Sequence, residues 1–111
     1  MTDTFREAMR LMRTRDPQRR EDGFHQLLPH AADFVDELLG EFAQEQDQGL
    51  RRWLLELIGA TRAPAALPTL SEQLHSPDES IRHWAAVGLT RLDTPEARTV
   101  LWRARANGTI T

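Results

Sequence analysis

The sequence predicts an all-α fold: a right-handed α-α superhelix, or α-solenoid, of about three helix pairs behind an N-terminal capping helix. Three observations predict it. The chain matches itself at an offset of 31 residues. Apolar residues recur at helical spacing inside each matched unit, and no useful length alternates with the period of two that a strand needs. A fixed period of this size, with one helix pair per unit, marks a stacked repeat array.

The offset places Asp47 on Asp78, Arg51 on Arg82, Trp53 on Trp84, Pro64 on Pro95, Ala66 on Ala97 and Leu70 on Leu101. A second step adds Asp16, Arg20, Leu27, Val35 and Leu39 to the same columns. Residues 1–111 therefore read as one domain. It comprises a capping helix in 1–15, a divergent unit at 16–46, and two closer units at 47–77 and 78–108.

The leading helix is expected over 3–14, with Phe5, Ala8, Met9 and Met12 on one face and Thr4 with Glu7 as a capping box. It would close the open end of the stack, because a terminal unit otherwise exposes its core face. In the second unit Leu50, Trp53, Leu54, Leu57 and Ile58 fall at i, i+3, i+4, i+7 and i+8; Ile81, Trp84, Ala85, Gly88 and Leu89 do so in the third. The partner helices carry shorter stripes: Val35, Leu38, Leu39 and Phe42; Ala66, Leu67, Leu70 and Leu74; Ala97, Val100, Leu101 and Ala104. Asp16-Pro17 and Thr94-Pro95 pair an N-cap with proline at the first helical position. Ser76-Pro77-Asp78-Glu79 reads as a capping box starting at Ser76.

The run D78ESIRHWAAVGLTRLDTPEA97 resembles the HEAT-like repeat of the phycobilisome-lyase type, through Asp78, Ile81, Arg82, Ala85, Ala86, Leu89, Pro95 and Ala97. Ala66-Leu67-Pro68-Thr69-Leu70 is similar to that family's Ala-Leu-Pro-x-Leu run. The resemblance covers 47–107. Over 16–46 it departs, with Asp22, Gly23 and Gln26 in slots that are apolar or glycine elsewhere. It implies a helical superhelix with a binding role, and a concave surface lined by the second helix of each unit.

Charge is segregated along the chain, which has a net charge of −3. Residues 1–20 carry six Arg against three acids, residues 21–49 carry eight acids and no base, and residues 50–111 carry eight Arg against six acids. The acids Asp36, Glu37, Glu41 and Glu45 flank the apolar stripe of one second helix, where the resemblance puts them in the groove. They are expected to contact a protein partner with a basic surface, with Arg98 and Trp102 at the far end. Trp102 has a second reading, as a seal for the C-terminal end of the stack, since the tail 107–111 offers no obvious cap. A second copy of the chain docking at that end is a further expectation.

The columns Asp16/Asp47/Asp78 and Arg20/Arg51/Arg82 repeat Asp-x-x-x-Arg in every unit. A catalytic constellation is needed once; this one recurs, and so reads as a structural ladder between units. Trp53 and Trp84 share a column expected to face the core and stack between units.

Other classes are disfavoured. Without cysteine there is no disulfide, thiolate metal site or cysteine nucleophile. His25, His30, His75 and His83 form no helical metal-binding pair, and no phosphate loop or nucleophile elbow is present. No enzymatic activity and no cofactor is expected. Nucleic acid would favour a continuous basic face, whereas the acidic block separates Arg6, Arg10, Arg13, Arg19 and Arg20 from Arg98, Arg103 and Arg105. No apolar run is long enough for a membrane helix or signal peptide, so a cytoplasmic location is expected. The expectation is a non-enzymatic protein-interaction scaffold. A small inhibitor or immunity-type protein blocking a basic toxin or enzyme is the alternative; nucleic-acid binding and a lyase-accessory role follow behind.

Overall fold

A computed structural model describes residues 2–110. Met1 and Thr111, the outermost residues of the expected domain, lie outside the described residues. The elements are α1 (Thr2–Met12), α2 (Pro17–Leu27), a 3-10 segment (Leu28–Phe34), α3 (Val35–Gln44), α4 (Gln48–Ala60), a second 3-10 segment (Pro64–Ala66), α5 (Leu67–Gln73), α6 (Glu79–Leu92) and α7 (Pro95–Ala106). There is no strand among the described residues. Helix α4 packs on α6, α3 on α4, and α5 and α7 on α6, so α3 and α5 lie against the first helix of the following unit and α7 against the first helix of its own.

The first helices start alike for one reason. Asp16, Asp47 and Asp78 each sit in extended backbone and accept hydrogen bonds from the following turn: Gln18 N at 3.0 Å, Leu50 N at 2.9 Å, and Ser80 N and Ile81 N at 2.8 and 3.1 Å. Each satisfies amide donors the helix cannot satisfy itself and places a carboxylate at its positive end. Thr94 does the same for α7, accepting from Ala97 N at 3.1 Å. The expected box at Ser76 is corrected: Ser76 Oγ accepts from Asp78 N, and Asp78 is the cap. Thr4 lies inside α1 rather than at its cap, because the helix already runs from Thr2.

One continuous core runs through the stack, from Phe5, Ala8, Met9 and Met12 of α1 to Leu101 and Ala104 of α7. Helix α4, at the centre, buries Leu50, Leu54, Leu55, Leu57 and Ile58. Leu55 lies off the expected stripe; it is buried because a central helix has neighbours on more than one side.

Two glycine contacts set how closely the helices approach. A Cβ on Gly59 would come within 2.9 Å of Gly88 Cα, so α4 and α6 touch backbone to backbone. A Cβ on Gly23 would come within 2.5 Å of the Ala8 carbonyl oxygen. That contact explains why the divergent unit has glycine where the other units have Leu54 and Ala85: α1 lies directly on α2.

At the other end the chain turns back. Gly108 has φ +76° and donates to Arg105 O, while Thr109 N donates to Ala104 O at 2.8 Å, the Schellman arrangement that satisfies terminal carbonyls. Ile110 is half-buried against the core. The tail therefore does supply an apolar contact, contrary to the sequence expectation.

Candidate partner-binding face

The Asp-x-x-x-Arg columns join units through backbone carbonyls. Helix α3 ends abruptly as Glu45 turns extended, with ψ 132°, so its last carbonyls point at no following helical amide. Arg51 Nη1 donates to two of them, Phe42 O at 3.0 Å and Glu45 O at 2.8 Å, and its guanidinium lies 4.0 Å from the Phe42 ring centre. Arg82 Nη1 donates to Ser76 O at 2.8 Å. Among the described residues no ion pair joins Asp16 to Arg20, Asp47 to Arg51 or Asp78 to Arg82, since each aspartate is turned to its own helix amides. Arg20 is the exception in its column. The last turn of α1 is closed by its own amides and by Thr14 Oγ1, and Arg20 Nε is buried with no protein acceptor.

Trp53 and Trp84 are half-buried on the flank of the first helices, not inside the core. They form no ring pair with each other. Trp53 packs on Phe24 of the preceding unit, centroids 5.2 Å apart, with the Arg20 guanidinium 5.8 Å from its ring. Trp84 meets the edge of its neighbour His83. The indole is too large for the α4–α6 joint, where Gly59 and Gly88 already touch.

The four acids singled out on α3 divide into two pairs. Arg13, from the end of α1, reaches across 28 and 32 residues to Glu41 and Glu45, donating to each at 2.7 Å. Glu45 also accepts from the amides of Gln46 and Asp47, and only 11% of its side chain is exposed. Burial works against its charge. The Asp47 amide and Arg13 outweigh that and hold its pKa below the usual carboxylate value. Burial likewise opposes the Arg13 charge, and its two carboxylate partners override it to raise the pKa. Both acids are thus engaged by Arg13 inside the molecule. Asp36 and Glu37 remain exposed.

Helix α7 supplies the other end of the face. Trp102 is 69% exposed, the one exposed large hydrophobic side chain among the described residues. It does not seal the stack; Ile110 occupies that position. Beside it a hollow of about 380 Å³ is lined by Pro95, Arg98, Thr99 and Trp102. Arg98 Nη1 donates to Asp93 O and Oδ1 at 2.8 and 2.9 Å, while Arg103 and Arg105 are exposed. Gly40, at the position on α3 equivalent to Trp102, is exposed, and a Cβ there would meet nothing within 4 Å.

No helix is long and apolar enough to cross a membrane, and no group of three His, Asp or Glu is placed to hold a metal ion, both among the described residues. A family model described as HEAT repeats matches residues 35–109. No curated protein and no solved structure matches the chain.

Proposed function

The chain belongs to the HEAT-repeat family, whose repeats are commonly protein-interaction scaffolds, and on that premise we propose that it is a non-enzymatic module binding a protein partner through the outer faces of α3, α5 and α7. The observation that carries the reading is Trp102. An indole held in water on a regular helix forgoes the apolar burial that every other large hydrophobic side chain described here achieves, fully or in part. Trp is among the residues that dominate interface energies when a partner covers them. Arg98 and the adjoining hollow give it a polar rim, and Asp36 and Glu37 offer negative charge at the other end of the same face.

The charged residues that recur in the sequence support a non-catalytic reading. Asp16, Asp47 and Asp78 cap helices, and Arg51 and Arg82 hold carbonyls. Each has a structural task.

The reading is tested by capture from the native host with tagged chain, counting copies of the chain itself as a possible captured protein. Trp102→Ala is expected to lower capture about tenfold or more, equivalent to roughly 1.4 kcal/mol. Arg52→Ala, at an exposed position on α4, should leave capture unchanged. Unaltered capture by both Trp102→Ala and an Asp36→Arg, Glu37→Arg double variant would remove this face from the proposal.

A further inference from the structure

We infer that the partner of the α3–α5–α7 face is a second copy of this chain, paired about a twofold axis running parallel to α5. The inference rests on the reading of that face as the binding surface and names what occupies it.

Residues two units apart, 62 positions in sequence, occupy equivalent places on α3 and α7. At these places the two helices are complementary. Asp36 is equivalent to Arg98, Gly40 to Trp102 and Glu41 to Arg103. An acid answers a base twice, and the residue with no side chain answers the exposed indole. The middle unit has Ser71 in the Gly40/Trp102 column, small enough to lie near an axis.

Equivalent helices of a stacked array run in the same direction. A twofold axis parallel to them, lying between two facing copies, reverses their order but preserves their direction and height. It therefore lays α3 of one copy across α7 of the other and meets α5 with α5. Asp36 then faces Arg98, and Gly40 faces Trp102, each contact occurring twice by symmetry. The open space over Gly40 receives the indole. Arg98 is steadied by Asp93 through Nη1, and among the described residues its Nε and Nη2 have no protein acceptor, so a fork remains for a carboxylate. Glu41 is already tied to Arg13, which leaves Asp36–Arg98 as the principal charged contact.

The test is sedimentation velocity on the whole chain at about 100 µM, above the micromolar constants that modest interfaces give. The wild type is expected to sediment as a dimer, with Trp102→Ala, Asp36→Arg and Arg98→Asp each associating about tenfold more weakly or less. Mixing the Asp36→Arg and Arg98→Asp chains should restore the dimer, because each contact of the mixed pair then joins one acid to one base. That arm also guards against variants that merely misfold. A monomeric wild type overturns the inference, as do an open series of oligomers growing with concentration and a mixture that associates no better than its components. If the wild type is monomeric while Trp102→Ala still loses its captured protein, the pairing falls and the binding face stands.

Discussion

At the joint between α4 and α6, Gly59 and Gly88 bring two backbones into contact, and Arg51 and Arg82 tie each first helix to the chain end before it through carbonyls. At the N-terminal end the means are different. There Gly23 admits α1 against α2, Phe5 packs on Phe34 with centroids 5.4 Å apart, and Arg13 clamps Glu41 and Glu45. The carbonyl joint made by Arg51 and Arg82 uses groups that every residue has, so it recurs while neighbouring side chains vary. Helix α1, about one stride before α3, is held instead by side chains particular to that end of the stack.

The comparison can be broken most forcefully at glycine. Gly23→Ala drives a Cβ into the Ala8 carbonyl, which cannot yield as a flexible side chain would, and should cost about 3 kcal/mol by urea titration. Hydrogen exchange should show that loss concentrated in α1. Loss spread evenly over all helices would mean that α1 and the helices after it unfold as one unit, and the contrast between the two joints would lapse.

A finer contrast compares two arginines. Arg51→Met removes two charge-assisted bonds to carbonyls and a cation–π contact in a half-buried setting, an expected loss of about 2 kcal/mol. Arg13→Met removes two ion pairs that solvent partly reaches, expected to cost about 1 kcal/mol or less and to fade with added salt. Equal losses, or a salt-insensitive Arg13 effect, would show that the clamp is no weaker than the carbonyl joint.

The smallest expected effect is in pH dependence. Burial raises the Glu56 pKa on α4, against the pull of Arg91, Arg52 and His25. A carboxyl whose folded pKa lies above its unfolded value weakens the fold when ionised, and the penalty disappears as pH falls through the folded value. Glu45 has the opposite sign: its contribution is present above the unfolded pKa and is lost as pH falls through the depressed folded value. Glu56→Gln should therefore raise Tm at pH 7 by roughly 1–2 °C, allowing for solvent screening, and the gain should vanish below the carboxylate range. A gain that persists in acid would assign the effect to packing.

Much of the fold was legible because its determinants are local or periodic. The stride of 31, the aspartate caps and the apolar stripes depend on spacing within one helix or one repeat, which the sequence displays directly. The proposed binding face was only half legible. The sequence singled out Asp36, Glu37, Arg98 and Trp102, but nothing near Glu41 or Glu45 signals that Arg13, some thirty residues earlier, would hold them. The role of Arg51 and Arg82 was hidden because a backbone carbonyl has no letter of its own. The tryptophan column does pack against the core, but only partly buried, and the depth of burial was not legible. Apolar periodicity says which side of a helix turns inward; it does not say how much room the neighbouring helix leaves.

The carbonyl joint also has an evolutionary corollary. A duplicated unit inserted between Gln46 and Asp47 would arrive with its own arginine donor and its own open helix end, so both new seams would be satisfied without any accompanying substitution. Lengthening in whole strides leaves the chemistry of every seam intact, whereas gaining or losing a few residues inside a unit would separate donor from acceptor. Variation in length among descendants of such a gene is therefore expected to come in multiples of the stride.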